Sequence, residues 1–224
     1  AKTITKYSTF TIRKFREDPY SMIDLINIGT FTEEMAAYFW MCLENRASIM
    51  VLGGTAAGKT TALNTLVCLV KPGSKIITIE ETAELNLPQE NWVSLIARQS
   101  YGLGGTNVGE VTLFDLVKTS MRHRPDILIV GEVRGQEAYV LFQALATGHG
   151  GMCTMHAENL DSAVKRLTQK PMDISPAYIP LMNIVLSIQR VHLVKDNVKK
   201  AYRRVMTVSE IADYEDYRSI LKWH

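Results

Sequence analysis

Residues 53–61, GGTAAGKTT, leave little freedom about the kind of fold that surrounds them. They match the pattern G-x-x-x-x-G-K-[ST], which belongs between a β-strand and a helix. The apolar run SIMVL precedes them and the helix-like run TTALNTLVCLV follows them, so the context is met. Glycines let the backbone wrap a phosphate group, and the helix N-terminus adds the positive end of its dipole. This context disfavours the alternative, a glycine-rich turn that happens to precede a lysine.

Two side chains of this stretch have the chemistry that a bound nucleotide needs. Lys59 stands where a side chain reaches the β- and γ-phosphates, and the Thr60 hydroxyl stands where it can ligate Mg²⁺. The sequence therefore predicts a site for ATP and Mg²⁺. The expected nucleotide-binding residues of this stretch are Gly53, Gly54, Thr55, Ala56, Ala57, Gly58, Lys59, Thr60 and Thr61.

Short apolar strands alternate with helices from Ser48 to about His156. The strand-like runs are SIMVL, KIITIE, DILIV and MCTMH. This alternation predicts an α/β fold with a mostly parallel sheet and helices on both faces. Past Pro180 the chain becomes β-rich, with strands joined at a turn near Asp196 and Asn197. A chain of 224 residues, 46% of them hydrophobic, can bury one such core.

Three further elements are expected before this region. STFTIRKF alternates polar and apolar side chains, as a half-buried strand does. DPYSMIDLINIG reads as a linker followed by a short helix that ends at Gly29. Thr32 is a suitable N-cap for a helix that runs to about Asn45, with acids in its first turn. Because this helix is apolar almost all round, we expect it to be buried.

Acidic residues follow two of the predicted strands. Glu132 comes soon after DILIV, and Glu80 and Glu81 follow KIITI. Because ligands bind outside the carboxyl ends of the strands in open α/β sheets, these carboxylates can converge on one crevice. They would then divide the work, one for Mg²⁺ and one for polarising the attacking water. The alternative is that they are ordinary exposed acids in loops.

Phosphoryl transfer also needs a cation to neutralise the charge that develops on the transferred group. Arginines flank the predicted crevice at four positions, Arg98, Arg122, Arg124 and Arg134. Spacing does not select one of them, and each could equally be a surface ion-pair residue.

The stretch GHGGMCTMHAEN holds two histidines and a cysteine around a glycine pair. Imidazole and thiolate are usual zinc donors, so His149, Cys153 and His156 taken alone allow a metal site. A catalytic loop and a buried strand are the other two interpretations.

Composition narrows the class of protein. The three cysteines are scattered without a C-x-x-C pair, which is typical of a reduced, intracellular chain. The formal net charge of +2 is too small to indicate nucleic-acid binding by itself. The longest apolar run, residues 35–43, is far shorter than the roughly 18 residues of a membrane span. No apolar segment of a signal peptide follows the basic start.

In combination, these segments resemble the secretion and pilus motor ATPases, the family that drives type II and type IV secretion, type IV pili and the archaellum. Four motifs stand in the family's order: a Walker A stretch GGTAAGKTT, an Asp box TIEETAELNLPQENW, a Walker B stretch DILIVGEVRG and a His box GHGGMCTMHAEN. The resemblance covers nearly the whole chain, and LPQENW is most similar to the archaeal branch. It implies a RecA-type P-loop NTPase core with a β-rich C-terminal extension.

The resemblance also assigns roles to the acids. It implies that Glu80 activates water and that Glu132 is the Walker B acid. Thr60, Glu132 and Glu81 would hold Mg²⁺ directly or through water. The family usually has Asp at the position of Glu81, so the longer side chain departs from the pattern there.

For the basic residues, the resemblance implies contacts with nucleotide or with a neighbouring subunit. His149 and His156 would sense the γ-phosphate rather than bind zinc. Arg98 and Arg134 match arginines associated with nucleotide or intersubunit contact. Arg13, on the expected first strand, resembles an arginine that reaches nucleotide when two domains close.

For the whole protein, the resemblance implies a homohexameric ring at the cytoplasmic, inner face of the cell membrane that pushes on a membrane platform protein. Residues 1–20 would be the end of a preceding N-terminal domain with its linker, and residues 21–224 the motor domain.

Two other classes of enzyme stay open. A conjugation-related nucleic-acid translocase could use the same core, with basic or aromatic loops facing a ring channel. The basic run KDNVKKAYRR would suit it, but such a run is more often a solvated hairpin face, and nucleic acid is not the expected partner. A small-molecule kinase would need an acceptor pocket and a lid, and the sequence indicates neither.

Overall fold

The computed structural model describes residues 7, 9–12, 14, 18–98, 109–195 and 198–223. Within these ranges the chain forms the strands β1 (Ile49–Leu52), β2 (Ile76–Glu80), β3 (Trp92–Ile96), β4 (Ile127–Val130), β5 (Gly150–Met155), β6 (Ile184–Lys195), β7 (Val198–Asp213) and β8 (Asp216–Lys222). The α-helices are α1 (Met22–Asn27), α2 (Glu33–Glu44), α3 (Lys59–Val67), α4 (Leu113–Ser120), α5 (Glu137–Ala146) and α6 (Leu160–Thr168), with short 3₁₀ helices at Met121–His123 and Pro176–Leu181.

All eight strands form a single sheet in the order β3-β2-β4-β5-β1-β6-β7-β8. The neighbours from β3 to β6 pair in parallel, and β7 and β8 continue the sheet in antiparallel pairing. The predicted fold class, a mostly parallel sheet with a β-rich C-terminal extension, is therefore confirmed. The predicted half-buried strand STFTIRKF was wrong for the residues described there, 9–12 and 14, because none of them pairs in a strand and Phe10 and Ile12 are 88% and 83% exposed.

The central strand β1 shows why its sequence is apolar without alternation. Successive side chains of a strand point to opposite faces of the sheet. Ile49 and Val51 pack into the core beneath α1, α2 and α3, and Met50 and Leu52 pack into the core beneath α4, α5 and α6. Both faces of the strand are thus covered, as helices on both sides of a parallel sheet require.

The first two helices begin and end as the sequence predicted. Gly29, with φ +74°, follows α1, and the Thr32 side chain accepts a hydrogen bond of 3.1 Å from the backbone N–H of Met35 at the start of α2. The expected burial of α2 is confirmed on one face, whereas Trp40 and Met41 on the other face are 56% and 60% exposed. Only one stripe of this helix is buried, formed by Met35, Phe39 and Leu43.

Strands β6 and β7 extend beyond the carboxyl end of β1 as a two-stranded hairpin. β1 stops where Leu52 pairs with Ser187, and the β6–β7 pairing continues from Ile188 towards the tip. At about 3.3 Å per residue, the eight residues 188–195 carry the hairpin roughly 25 Å past β1. We call residues 188–195 and 198–205 the projecting hairpin. The residues of its predicted turn, 196 and 197, lie outside the described part of the chain.

None of the helices in the described ranges has both the length and the apolar character needed to cross a membrane.

Candidate functional site

Strands β1, β2, β4 and β5 are parallel and end at the same edge of the sheet. This edge opens into a cleft of about 1080 Å³. Its walls include the loop after β1, the acids that follow β2 and β4, and His156 after β5. The structure therefore brings together most of the side chains that the sequence singled out.

The phosphate loop, residues 53–59, joins β1 to α3 along a path that only glycine permits at two positions. A Cβ at Gly53 would lie 2.5 Å from the carbonyl oxygen of Ile188. Gly58 caps α3 with φ +100°, and a Cβ there would lie 2.9 Å from Cδ of Arg203. The first N–H groups of a helix have no partner within the helix, which suits this end of α3 to a phosphate.

The Lys59 ammonium lies inside the curve of this loop. Its Nζ is 3.2 Å from the carbonyl oxygen of Gly54 and 3.8 Å from Oε1 of Glu132. Only 12% of the side chain is exposed, and burial lowers the pKa of Lys59, against an opposing effect of Glu132. A buried cation with one distant carboxylate is well placed to gain from an anionic ligand.

Glu80, the last residue of β2, is 3% exposed. Its Oε1 accepts hydrogen bonds from the backbone N–H groups of Glu84 and Leu85, at 3.0 and 3.1 Å. Its Oε2 is buried, and among the residues that the structure describes it has no hydrogen-bond partner. Burial raises the pKa of the Glu80 carboxyl, although the two backbone hydrogen bonds oppose the change. The position of Oε1 is therefore fixed, and Oε2 keeps a lone pair that is available to accept a proton.

Arg134 links the other two predicted acids. Its Nε donates to Oε2 of Glu132 at 3.0 Å, its second terminal nitrogen also contacts Glu132, and its Nη1 is 3.3 Å from Oε2 of Glu81. Hydrogen bonding to Glu132 raises the pKa of Arg134. The Arg134 side chain is 60% exposed, so it is attached to the two acids without being enclosed.

The loop that carries Glu132 and Arg134 is held by Glu137 at the start of α5. Oε1 of Glu137 accepts hydrogen bonds from the backbone N–H groups of Arg134 at 2.5 Å and Gly135 at 2.7 Å. Glu137 is 8% exposed and lies in the first turn of α5, where an anion is favoured. The sequence had not singled out this residue.

His156 follows β5 and lines the cleft. The Arg166 side chain, from α6, donates to the carbonyl oxygen of His156 and also lines the cleft. Thr154 is buried, and its hydroxyl donates to the carbonyl oxygen of Gly131 at 2.7 Å, which ties the ends of β5 and β4 together.

The other histidine of the His box lies elsewhere. His149 precedes β5, at the opposite edge of the sheet, with its Nδ1 3.0 Å from Oγ1 of Thr147 and 3.2 Å from the carbonyl oxygen of Ala144. Because the six residues of β5 separate the two histidines by about 20 Å, they do not meet in the cleft of one protomer. The expectation of a γ-phosphate sensor in this cleft therefore fits His156 and not His149.

Of the predicted arginines that the structure describes, one lines the cleft and the others lie elsewhere. Arg134 lines the cleft, whereas Arg98 follows the edge strand β3 and donates through Nε to the carbonyl oxygen of Gly109 at 2.6 Å. Arg122 and Arg124 precede β4 and so lie at the edge opposite the cleft. Arg13 lies outside the described residues.

Cys153 does not join the histidines in a metal site. It lies inside β5 with no exposed surface, and burial raises the pKa of its thiol. It packs in the core beneath α4, α5 and α6. The stretch GHGGMCTMHAEN is thus a buried strand whose second histidine reaches the cleft.

One wall of the cleft comes from residues to which the sequence gave no role. The basic run that we interpreted as a solvated hairpin face contributes Tyr202, Arg203 and Arg204 to the lining. Nε of Arg203 is 3.3 Å from the carbonyl oxygen of Ala56 in the phosphate loop. Nη1 of Arg204 donates to the carbonyl oxygen of Ile28 at 3.0 Å. The spacing of residues within a basic run does not predict that its side chains line a nucleotide cleft.

The donor set of the cleft fits Mg²⁺. The Thr60 hydroxyl and the carboxylates of Glu132 and Glu81 all line it, and Mg²⁺ prefers such hard oxygen ligands while keeping several waters. The unpartnered Oε2 of Glu80 adds a free acceptor nearby. Among the described residues, no three His, Cys, Asp or Glu side chains are grouped as a closed metal site.

Comparison with known proteins gives one family. A family model described as "Type II/IV secretion system protein" matches residues 3–217. The uncharacterized protein MJ0900 of Methanocaldococcus jannaschii is 41% identical over 209 residues, which are 93% of this chain and 36% of MJ0900. The probable conjugal transfer protein TrbB of Sinorhizobium fredii is 32% identical over 191 residues, which are 81% of this chain and 56% of TrbB.

Among solved structures, the VirB11 ATPase of the Brucella suis type IV secretion system, in complex with sulphate, has the same fold. Its TM-score is 0.63 at 22% identity, and the match covers 90% of this chain and 61% of that chain. The chain thus spans only part of the length of each of these relatives.

Proposed function

The chain belongs to the type II/IV secretion system protein family, and on that premise we propose that it is a Mg²⁺-dependent ATPase that powers a secretion or pilus-like membrane machine. The observation that carries the proposal is that Lys59, Glu80 and Glu132 meet in one cleft beside the phosphate loop. A backbone cradle for phosphates, a cation and two carboxylates are what phosphoryl transfer to water requires.

Binding of the nucleotide is assigned to the phosphate loop. Its backbone and the start of α3 hold the phosphates, and the Lys59 ammonium pairs with the β- and γ-phosphates. Mg²⁺, when bound, neutralises charge on the phosphate oxygens. Thr60, Glu132 and Glu81 would hold the ion, directly or through water. Arg134, which contacts both carboxylates, orients them.

Glu80 is assigned as the general base. Its Oε2 takes a proton from the attacking water while the water oxygen forms a bond to the γ-phosphorus and the bond to the bridging oxygen of ADP breaks. Two features support this role: the acceptor is unpaired, and burial raises the pKa of the carboxyl towards the range in which it can both accept and release a proton. His156, which lines the cleft, is assigned to sense whether the γ-phosphate is present.

Two residues that lie away from the cleft are assigned to assembly. Arg98 and His149 would act between subunits or between domains, because each is a family-type residue that the cleft of one protomer does not account for. Arg13, which is outside the described residues, would reach the nucleotide when two domains close. The assembly is a homohexameric ring at the cytoplasmic face of the membrane, in contact with a membrane platform protein. Residues 1–20 would link an N-terminal domain to the motor domain, residues 21–224.

The test is Mg²⁺-dependent ATP hydrolysis per protomer over a wide range of protein concentration. Specific activity that rises with concentration would support a site completed between subunits, as a ring motor requires. Concentration-independent activity would mean that each protomer has a complete site and would count against the ring. If the folded protein neither binds nor hydrolyses ATP at any concentration, the proposal as a whole is wrong.

A second candidate function, a conjugation-related nucleic-acid translocase, has its own support. One relative is named as a probable conjugal transfer protein, and the described residues of the projecting hairpin carry only basic charges. The rate of ATP hydrolysis by a translocase would rise when the enzyme binds nucleic acid. Single-stranded DNA added to the ATPase assay separates the two candidates, because a secretion motor should hydrolyse ATP at an unchanged rate.

A further inference from the structure

We propose that Arg203 of the projecting hairpin binds the phosphates of the nucleotide held by the phosphate loop of the same chain. This inference rests on the proposed function and adds to it a binding residue, supplied in cis, that no sequence motif contains. It assigns the hairpin to the nucleotide site rather than to the solvated surface.

The position of the hairpin is the first observation. Its base lies directly on the phosphate loop, since the carbonyl oxygen of Ile188 leaves no room for a side chain at Gly53. The Arg203 side chain crosses the other end of the loop, where its Cδ would meet a Cβ at Gly58 and its Nε lies 3.3 Å from the carbonyl oxygen of Ala56. The guanidinium therefore lies against the phosphate loop, on a wall of the cleft.

The charge of the hairpin is the second observation. Arg203 pairs directly across the two strands with Arg190, and like charges in that arrangement destabilise a sheet. None of the hairpin residues that the structure describes is acidic. Within those same described ranges, neither arginine forms an ion pair with a carboxylate. Unbalanced positive charge beside a phosphate loop points to an anionic ligand.

The anchoring of the hairpin is the third observation. Arg204 donates to the carbonyl oxygen of Ile28, and its guanidinium carbon lies 5.1 Å from the centre of the Tyr202 ring. The backbone N–H of Val205 donates to the carbonyl oxygen of Thr30 at 3.1 Å. These contacts fix the strand that carries Arg203. The planar guanidinium, with donors left over beyond the bond to Ala56, is well suited to phosphate oxygens.

The test compares Arg203→Gln with Arg190→Gln, its cross-strand neighbour, which is exposed and does not line the cleft. ADP with Mg²⁺ is the probe, and affinity is measured by isothermal titration calorimetry at low and at moderate salt. We expect Arg203→Gln to weaken ADP binding about tenfold or more and Arg190→Gln to change it less than about twofold. Arg203→Lys, which keeps the charge, should bind with intermediate affinity.

Thermal unfolding without nucleotide separates binding from a structural role. Arg203→Gln relieves the repulsion with Arg190, so its melting temperature should equal or exceed that of the unmodified protein. A lower melting temperature together with unchanged ADP affinity would mean that Arg203 only ties the hairpin to the phosphate loop. Equal losses of affinity in both glutamine variants would mean a diffuse basic surface. Either result overturns the inference.

The Lys59→Ala variant distinguishes failure of this inference from failure of the proposed function. If Lys59→Ala loses ADP binding while Arg203→Gln binds normally, the phosphate loop is the site and only the role of Arg203 is wrong. If Lys59→Ala binds ADP as tightly as the unmodified protein, both the proposed function and this inference are wrong.

Discussion

Replacing Glu80 with glutamine should stabilise the fold while it removes the activity, because the same unpaired oxygen is responsible for both effects. Glu80 is 3% exposed, its Oε1 is held by two backbone N–H groups and its Oε2 has no partner. A glutamine keeps the Oε1 acceptor, so both backbone hydrogen bonds can persist. What it removes is a carboxylate charge in a buried place.

The stability effect depends on pH, and its sign follows from the raised pKa of Glu80. Folding favours the protonated carboxyl, so the contribution of Glu80 to stability is present at low pH and is lost as pH rises through the raised pKa. Above that pH the fold holds a buried charge with one unsatisfied oxygen, at a cost of about 1–3 kcal/mol. Glu80→Gln removes the charge and leaves an uncharged amide nitrogen at the unpaired position, and an unpaired neutral group costs less than an unpaired charged one.

For a chain of this size, 1 kcal/mol corresponds to a melting-temperature change of roughly 2–4 °C. The assay is thermal unfolding without nucleotide at about pH 5 and about pH 8, with hydrolysis measured at the higher pH. The variant should gain stability over the unmodified protein mainly at the higher pH, and hydrolysis should fall about 100-fold or more.

The control is Glu90→Gln, at an exposed position of the same loop outside the cleft, which should change neither quantity. Normal hydrolysis by Glu80→Gln would refute its role as the base, and lower stability at the higher pH would refute the account of its burial.

Four further substitutions test other parts of the molecule. Lys59→Ala should abolish the rise in melting temperature that ATP with Mg²⁺ gives the unmodified protein, because the cation beside the phosphates is gone. Glu132→Gln should still bind ATP by calorimetry but should not hydrolyse it, and normal turnover would contradict its place at Mg²⁺. Phe39→Ala, at a fully buried position 6.0 Å from the Phe31 ring, should lower the free energy of unfolding in urea by about 3–5 kcal/mol. Met41→Ala, on the exposed face of the same helix, should change it by less than about 0.5 kcal/mol.

Much of the fold could be predicted because local sequence and global arrangement agree. Fully buried strands such as Ile49–Leu52 and Ile127–Val130 are continuous apolar runs, and the phosphate-loop pattern requires a strand before it and a helix after it. The edge strand β3 escaped prediction because its side chains are only partly buried, so Trp92–Ile96 has no clear apolar run. Helix α6 begins at a capping box formed by Asn159 and Ser162, a signal that lies outside the strand–helix alternation on which the predicted fold rests.

The site residues that follow the ends of parallel strands could be predicted from the sequence. A site residue that reaches the cleft through pairing of strands far apart in the sequence could not. Glu80 and Glu132 lie in the cleft because parallel strands end at one edge, which the sequence pattern shows directly. The separation of His149 from His156 follows from the strand between them and was overlooked in favour of the family pattern. Arg203 reaches the phosphate loop only because β6 pairs with β1 and β7 with β6, and no local signal contains that pairing.

The central place of β1 has a consequence for how this protein is made. Its pairing partners, β5 and β6, follow it by about 100 and about 135 residues along the chain. Contacts so far apart in sequence form late in folding, because the loops between them must first be closed. The strands on both sides of β1, which hold the phosphate loop in place, therefore cannot pair until most of this chain has left the ribosome. Nucleotide binding should accordingly report completed folding, and a chain cut before β6 should bind none.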